Sequence, residues 1–138
     1  MAGYSGTPLA KKLGIKAGSR VRPGGAPANY AELLAPLPDD VVLSPRLRRD
    51  VDVCHLFTKS ARELERALPR LLERIHPDGA IWVSWPKRAS GVATDVTEDT
   101  VRRLALPLGL VDIKVCAVDE TWSGLKLVIR RELRDRRR

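Results

Sequence analysis

The sequence predicts an α/β fold: a single-domain, three-layer sheet that is mostly parallel and ends in an antiparallel hairpin. Short β-rich segments alternate with amphipathic helical segments, which is the order that builds parallel sheets. Residues 80–85 are apolar at nearly every position, as in a strand that is covered on both faces. The last two β-rich runs, 110–118 and 125–131, are separated only by the polar residues 119–124, which predicts a hairpin.

The central strand is predicted to lie between a turn and a functional loop. Pro77, Asp78 and Gly79 are turn-forming residues, so we expect the chain to reverse just before the strand. Pro86 ends the strand. In open α/β sheets, ligands bind at the carboxyl ends of the parallel strands. Residues 87–91 are therefore the first candidate site.

Cap residues and apolar spacing predict the other elements. Thr7 and Pro8 are expected to cap and open a short helix, and the capping box that starts at Ser60 and the cap at Thr97 open two longer ones. The remaining strands are predicted at 19–22, 40–43 and 51–57.

The composition fits one compact domain, which we place at residues 1–131, followed by a basic tail at 132–138. A chain of 138 residues that is 43% hydrophobic has enough apolar surface for a core without staples. No run approaches the ~20 apolar residues of a membrane span, and the first residues lack the apolar core of a signal peptide. We therefore expect a cytoplasmic protein with no membrane partner.

The cysteines and one histidine are predicted to be core residues. Cys54 and Cys116 lie singly in predicted strands without CxxC spacing, which favours buried thiols over a disulfide or a zinc site. His55 lies inside a strand beside Leu56 and Phe57, which favours a hydrogen-bonded core histidine over a ligand. We expect no metal and no cofactor.

The net charge of +8 is concentrated in two arginine clusters. Residues 130–138 hold six arginines against Glu132 and Asp135, a net +4, and a smaller cluster comprises Arg46, Arg48 and Arg49. Such runs are usually solvated, and the alternative is an anionic partner, either RNA, DNA or an acidic protein. The sequence does not show whether the two clusters lie together. It contains no aromatic interleaving of the kind that single-strand binders use.

A binding site is predicted where the loop after the central strand meets the tip of the final hairpin. Both loops are expected at one edge of the sheet, so that Lys87 and Trp122 line one shallow pocket. The alternative is that Lys87 is a solvated cation and that the indole covers a neighbouring apolar edge. The candidate ligand-binding residues are Lys87, Arg88, Ser90, Asp119, Glu120 and Trp122.

The glycine-rich turn after the first strand does not match a nucleotide-binding fingerprint. Residues 24–29 read GGAPAN, which has neither G-x-G-x-x-G spacing nor a Walker lysine. The second strand is followed by Ser44, Pro45 and Arg46, where a site for a ribose would have an acidic residue. A plain connector is the favoured interpretation of this turn.

The sequence also resembles known families. From residue 51 to residue 131, including the segment HPDGAIWVSW, it resembles the back half of class I S-adenosylmethionine methyltransferases. The segments GYSGTPLAKKLGIK, WPKRASG, TDVTED and VDIKVCAVDETWSGLKLVIRR are similar to a bacterial family of small proteins known only as a domain of unknown function. The resemblance implies a Rossmann-like, shortened methyltransferase topology that lacks one βα unit.

Right-handed crossovers and this resemblance together predict the order of the strands in space. Only the last strand in sequence is expected to be antiparallel. The predicted order is 40–43, 19–22, 51–57, 80–85, 125–131, 110–118.

Two functions from different classes remain open. The first is a non-catalytic binding or regulatory module that recognises a protein or a small anionic ligand on a degenerate methyltransferase-like fold. The alternative is a small transferase-type enzyme in which Lys87 binds a phosphate or carboxylate and Asp119 or Glu120 is the general base. A further alternative is nucleic-acid binding through the basic tail. The missing acid and glycine motif argue against bound S-adenosylmethionine.

Overall fold

The computed structural model describes residues 7–137 and contains one six-stranded sheet. Its strands are β1 (Arg20–Gly24), β2 (Val42–Leu43), β3 (Val51–Phe57), β4 (Ile75–Pro86), β5 (Leu110–Ala117) and β6 (Trp122–Ile129). They lie in the order β2-β1-β3-β4-β6-β5, and only β6 runs antiparallel to the others. The predicted fold class and the predicted strand order are both confirmed.

Helices cover both faces of the sheet and give it three layers. They are α1 (Leu9–Lys12), α2 (Tyr30–Leu34), α3 (Ala61–Arg74), α4 (Glu98–Ala105) and α5 (Arg131–Arg137). Apolar residues of α3, α4 and α5 pack with one face of the sheet, which we call the α3 face. Those of α1 and α2 pack on the opposite face, which we call the α1 face.

The start of β4 differs from the sequence prediction. The predicted turn at residues 77–79 lies inside the strand, which begins at Ile75. The register with β3 shifts there, since Val51 pairs with Ile75 and Val53 already pairs with Ala80. A side chain at Gly79 would come within 2.8 Å of the Asp52 carbonyl oxygen, so glycine allows the two backbones to meet. Turn residues here form a bulge.

The helix starts follow the predicted caps closely. The Ser60 hydroxyl accepts a bond from the Glu63 backbone at 3.1 Å, and Thr97 forms a reciprocal capping box with Thr100. The first helix begins one residue later than predicted, with Pro8 as its cap and no side-chain bond from the cap. This end of α1 is therefore held by packing of its buried residues and not by a capping side chain.

The final hairpin is tighter than predicted, and the arginine-rich end is helical. The strand β6 already begins at Trp122 and ends at Ile129, so the connection is shorter than the predicted six residues. The segment interpreted as a tail forms α5. The Arg134 side chain donates to the Ile129 carbonyl at 2.8 Å, and Leu133 packs against the core. These contacts anchor the helix to the sheet.

His55 is buried in a polar network on the α1 face. Its two ring nitrogens each lie 2.8 Å from a hydroxyl, that of Tyr30 and that of Ser84. The imidazole is fully buried and stacks on Phe57 with ring centroids 4.2 Å apart. Burial lowers the pKa of His55 to about 3. The prediction of a hydrogen-bonded core histidine is confirmed.

Both thiols are free, and the prediction of a buried thiol is confirmed for Cys54 but not for Cys116. Cys54 is fully buried, and burial raises its pKa to about 12, whereas Cys116 is half-buried. Neither forms a disulfide.

The two edges of the sheet differ in length. β2 has two residues, whereas β5 has eight and exposes Ile113 and Val115. α4 is tied to β5 by Arg102, whose Nε donates to Asp112 at 2.8 Å. Within residues 7–137, none of the helices has the length and apolar content to span a membrane.

Candidate functional site

The loop after β4 and the hairpin tip meet at the carboxyl edge of the sheet. Pro86 pairs with Trp122 across β4 and β6. One residue later, the Lys87 backbone N–H donates to the Thr121 carbonyl at 2.7 Å. The two loops that the sequence analysis singled out are therefore joined by a backbone hydrogen bond.

A cavity of about 460 Å³ opens beside this junction. Its wall includes Trp85, which is 8% exposed and packs on the α3 face. The loop that closes it, residues 91–97, is bonded back to the Lys59 carbonyl by the Thr94 hydroxyl at 2.9 Å and the Asp95 N–H at 3.2 Å. The lining includes Trp85, Pro86, Arg88, Gly91, Thr94 and Thr97.

Arg88 is the one cation among the residues that line this cavity. Its side chain is exposed, and no carboxylate among residues 7–137 lies within ion-pair distance of it. Ser90 holds the loop instead of facing a ligand: its hydroxyl donates to the Lys87 carbonyl at 2.6 Å and accepts from the Val92 N–H at 3.2 Å. Gly91 follows with φ +75, a conformation that favours glycine.

The hairpin-tip residues do not line the cavity. The indole of Trp122 is half-buried on the α1 face and meets Phe57 edge-on, with ring centroids 5.1 Å apart. Asp119 accepts bonds from the Thr121 and Trp122 N–H groups, both at 2.8 Å, and so shapes the turn. Glu120 is exposed. Of the six predicted site residues, Arg88 is the one that lines the cavity.

Alanine variants separate a packing role from a binding role at the two loops. We expect Trp122→Ala to lower the free energy of unfolding by about 1–2 kcal/mol, because the edge-on contact with Phe57 and part of the indole burial are lost. Lys87→Ala is expected to stay within about 0.5 kcal/mol, as surface substitutions do. Urea denaturation of both variants measures this. An unchanged urea midpoint for Trp122→Ala would contradict the packing role and leave the indole as a candidate binding residue.

The crevice at the topological switch, between β1 and β3, is the place where doubly wound sheets bind nucleotides. Here the glycine turn lies directly on the end of β3, because a Cβ at Gly25 would come 2.6 Å from the Phe57 carbonyl oxygen. The Arg22 side chain donates to the Pro45 carbonyl at 3.3 Å and approaches Gly24 closely. The turn contacts protein backbone where it would have to cradle a ligand.

These residues do not fit S-adenosylmethionine. A ribose with free hydroxyls requires a carboxylate after β2, and that position holds Ser44, with the cation Arg22 beside it. No group of three His, Cys, Asp or Glu side chains within residues 7–137 is arranged to hold a metal ion.

Many solved structures are similar to this chain, and three of them illustrate the likeness. A SAM-dependent methyltransferase from Aquifex aeolicus has a TM-score of 0.60 at 15% identity, over 88% of both chains. A protein from Sulfolobus solfataricus that is assigned as a type 11 methyltransferase has a TM-score of 0.60 at 14% identity, over 88% of this chain and 89% of that one. Fibrillarin from Aeropyrum pernix, solved with natively bound S-adenosylmethionine, has a TM-score of 0.58 at 13% identity, over 91% of this chain and 70% of that one.

The chain has a methyltransferase-like fold. Identities this low show the fold alone. No protein-family model matches the sequence. A comparison with curated proteins finds no match.

The sequence gives no sign of the loop that closes the cavity. Residues 91–97 look like a plain connector, and Thr97 was recognised only as a helix cap. The signal that identifies the loop is its pair of bonds to Lys59, which lies more than thirty residues earlier in the chain. Local patterns carry no information about such a contact.

Proposed function

We propose that the protein binds a small anionic ligand in the cavity at the carboxyl end of β4, as a small transferase-type protein. The observation that supports this proposal is the position of Arg88, which lines a cavity of about 460 Å³ with an indole wall and has no carboxylate partner among residues 7–137. Cavities of about 300–1,000 Å³ at the strand ends of open α/β sheets are typical of small-molecule sites. A guanidinium suits a phosphate or a carboxylate.

The comparisons favour the transferase over the non-catalytic module. Two of the similar solved structures are matched over 88–89% of their own length, and both are described as methyltransferases. The sheet is therefore of the size that these proteins use. Asp119 is a poor general base, because one of its carboxylate oxygens already accepts two bonds of the turn. Glu120 as the base stays a prediction.

The anionic ligand need not be S-adenosylmethionine. Among residues 7–137, those at the β1–β3 crevice include no carboxylate that would hold the ribose of S-adenosylmethionine. We therefore expect S-adenosylmethionine and S-adenosylhomocysteine to bind more weakly than a phosphorylated small molecule. Ser44 stands where a ribose site would have an acid, and the cation Arg22 beside it tolerates a phosphate near a ribose.

A thermal-shift screen tests this proposal. The probes are S-adenosylmethionine, S-adenosylhomocysteine, nucleotides and sugar phosphates, and a ligand at 100 times its Kd raises native-state stability by ~2.7 kcal/mol. We expect a phosphorylated probe to raise Tm for the wild type and to lose its effect in Arg88→Gln. Arg70→Gln, which removes an exposed arginine on α3, is the matched control. A shift that survives Arg88→Gln would contradict the proposed site.

A further inference from the structure

Four arginines line an open groove at the β2 edge of the sheet. This groove has a volume of about 200 Å³, and its lining includes Arg20, Arg22, Arg46 and Arg48. Every residue that lines it belongs to β1, β2, β3 or the segment between β2 and β3, so no helix contributes.

A second cavity of about 250 Å³ brings the two basic segments of the sequence together. Its lining includes Arg49, Arg74 and Arg137, together with the acids Asp50 and Glu73. The Arg137 side chain also donates to the carbonyl of the last turn of α3 at 3.3 Å. The cluster at 46–49 and the arginine-rich end therefore share one surface, which the sequence left open.

We call this the arginine surface, and its members are Arg20, Arg22, Arg46, Arg48, Arg49, Arg74 and Arg137. None of the seven is paired with a carboxylate within 4 Å in the part of the chain that the structure describes, where the ion pairs involve Arg102 and Arg130. Guanidiniums that have no carboxylate partner among residues 7–137 and that converge from four separate segments are costly for folding through mutual repulsion. Such a concentration indicates a polyanionic partner.

We propose that the arginine surface docks the phosphate backbone of a nucleic-acid duplex. The guanidinium fork matches phosphate oxygens in pairs, and several such groups across one face match a repeating backbone. The surface has no means of stacking bases: among residues 7–137, Tyr30, Phe57, Trp82 and Trp85 are buried and Trp122 is half-buried on the α1 face. Binding is thus by backbone contacts, without base reading. This site is separate from the cavity beside Arg88.

The salt dependence of binding measures how many of these arginines meet phosphates. Full engagement of seven cations on a labelled 20-base-pair DNA duplex gives a slope of log K against log salt of about −6. We expect Arg46→Gln/Arg48→Gln/Arg49→Gln to weaken binding more than about tenfold and to reduce that slope by about 3. Fluorescence anisotropy over a salt range of roughly 50–300 mM gives both quantities.

The matched control removes the same charge elsewhere on the molecule. Lys11→Gln/Lys16→Gln/Arg103→Gln takes three exposed cations from α1, the segment after it and α4, and should leave the slope almost unchanged. Equal weakening by both triple variants would show that binding follows net charge and would overturn the proposed surface. Tighter binding of a single strand of the same length would overturn the duplex. Binding only to an acidic peptide or to anionic vesicles would overturn a nucleic-acid partner. Thermal melts confirm that both variants are folded.

Discussion

Trp82→Ala is expected to lower the free energy of unfolding by about 4 kcal/mol, since large-to-small changes at buried aromatic residues cost about 3–5 kcal/mol. Trp82 is the largest fully buried side chain in the structure. Its indole packs on the α1 face, where Gly124 of β6 leaves room for the ring edge. The indole N–H donates to the Leu13 carbonyl at 3.0 Å. The substitution therefore removes a core side chain and the anchor of the α1 end at once.

Trp82→Phe separates these two contributions. Phenylalanine keeps most of the apolar contact but leaves the Leu13 carbonyl without its donor, which costs about 1–3 kcal/mol for a buried acceptor. Urea denaturation gives the loss for each variant, and hydrogen exchange shows whether α1 opens separately from the sheet. A loss below about 1 kcal/mol for Trp82→Ala would show that the core relaxes into the vacated space.

Acidification is expected to destabilise the protein by about 2 kcal/mol between pH 7.5 and pH 5 through His55 alone. Burial lowers the pKa of His55 to about 3, whereas the pKa of a histidine in the unfolded chain is about 6.5. Above the unfolded pKa both states are neutral and the contribution is fully present. As the pH falls below it, the unfolded chain takes up the proton and the folded chain does not, so stability is lost.

The chain provides its own control, because it has only two histidines. His55→Gln should flatten the dependence of unfolding free energy on pH in this window, whatever it does to the stability at pH 7.5. His76→Gln changes the half-buried histidine at the start of β4 and should leave the dependence in place. If His76→Gln flattened the pH dependence and His55→Gln left it unchanged, the dependence would come from His76, and the prediction would be wrong.

The topology could be predicted because each part of it has a local signal. The continuous apolar run in β4 marks a strand covered on both faces, and right-handed crossovers then fix where the first four strands lie. The bulge in β4 could not be predicted from the same rules. Pro77, Asp78 and Gly79 suit a turn equally well, and only the approach of the β3 backbone to Gly79 distinguishes the two.

The candidate site was predicted only in outline. The pattern placed the loops after β4 and β5 at one edge, and the bond from Lys87 to Thr121 joins them there. The pattern did not show which face of the sheet each tryptophan occupies. Successive residues of a strand point to opposite faces, so Trp85 lines the cavity whereas Trp122 contacts Phe57 on the other face. The approach of Arg137 to Arg49 was equally invisible, because their separation in sequence carries no local signal.

The unequal edges of the sheet bear on how concentrated solutions of this protein behave. A free edge strand is a template for intermolecular pairing, and the two-residue β2 offers almost no backbone for it. β5 is long and displays Ile113 and Val115, but Lys114 lies between them and the ladder with β6 is broken between Asp112 and Lys114. A lysine and a bulge on an apolar edge discourage a second molecule from extending the sheet, so the charge at Lys114 protects the protein from self-association.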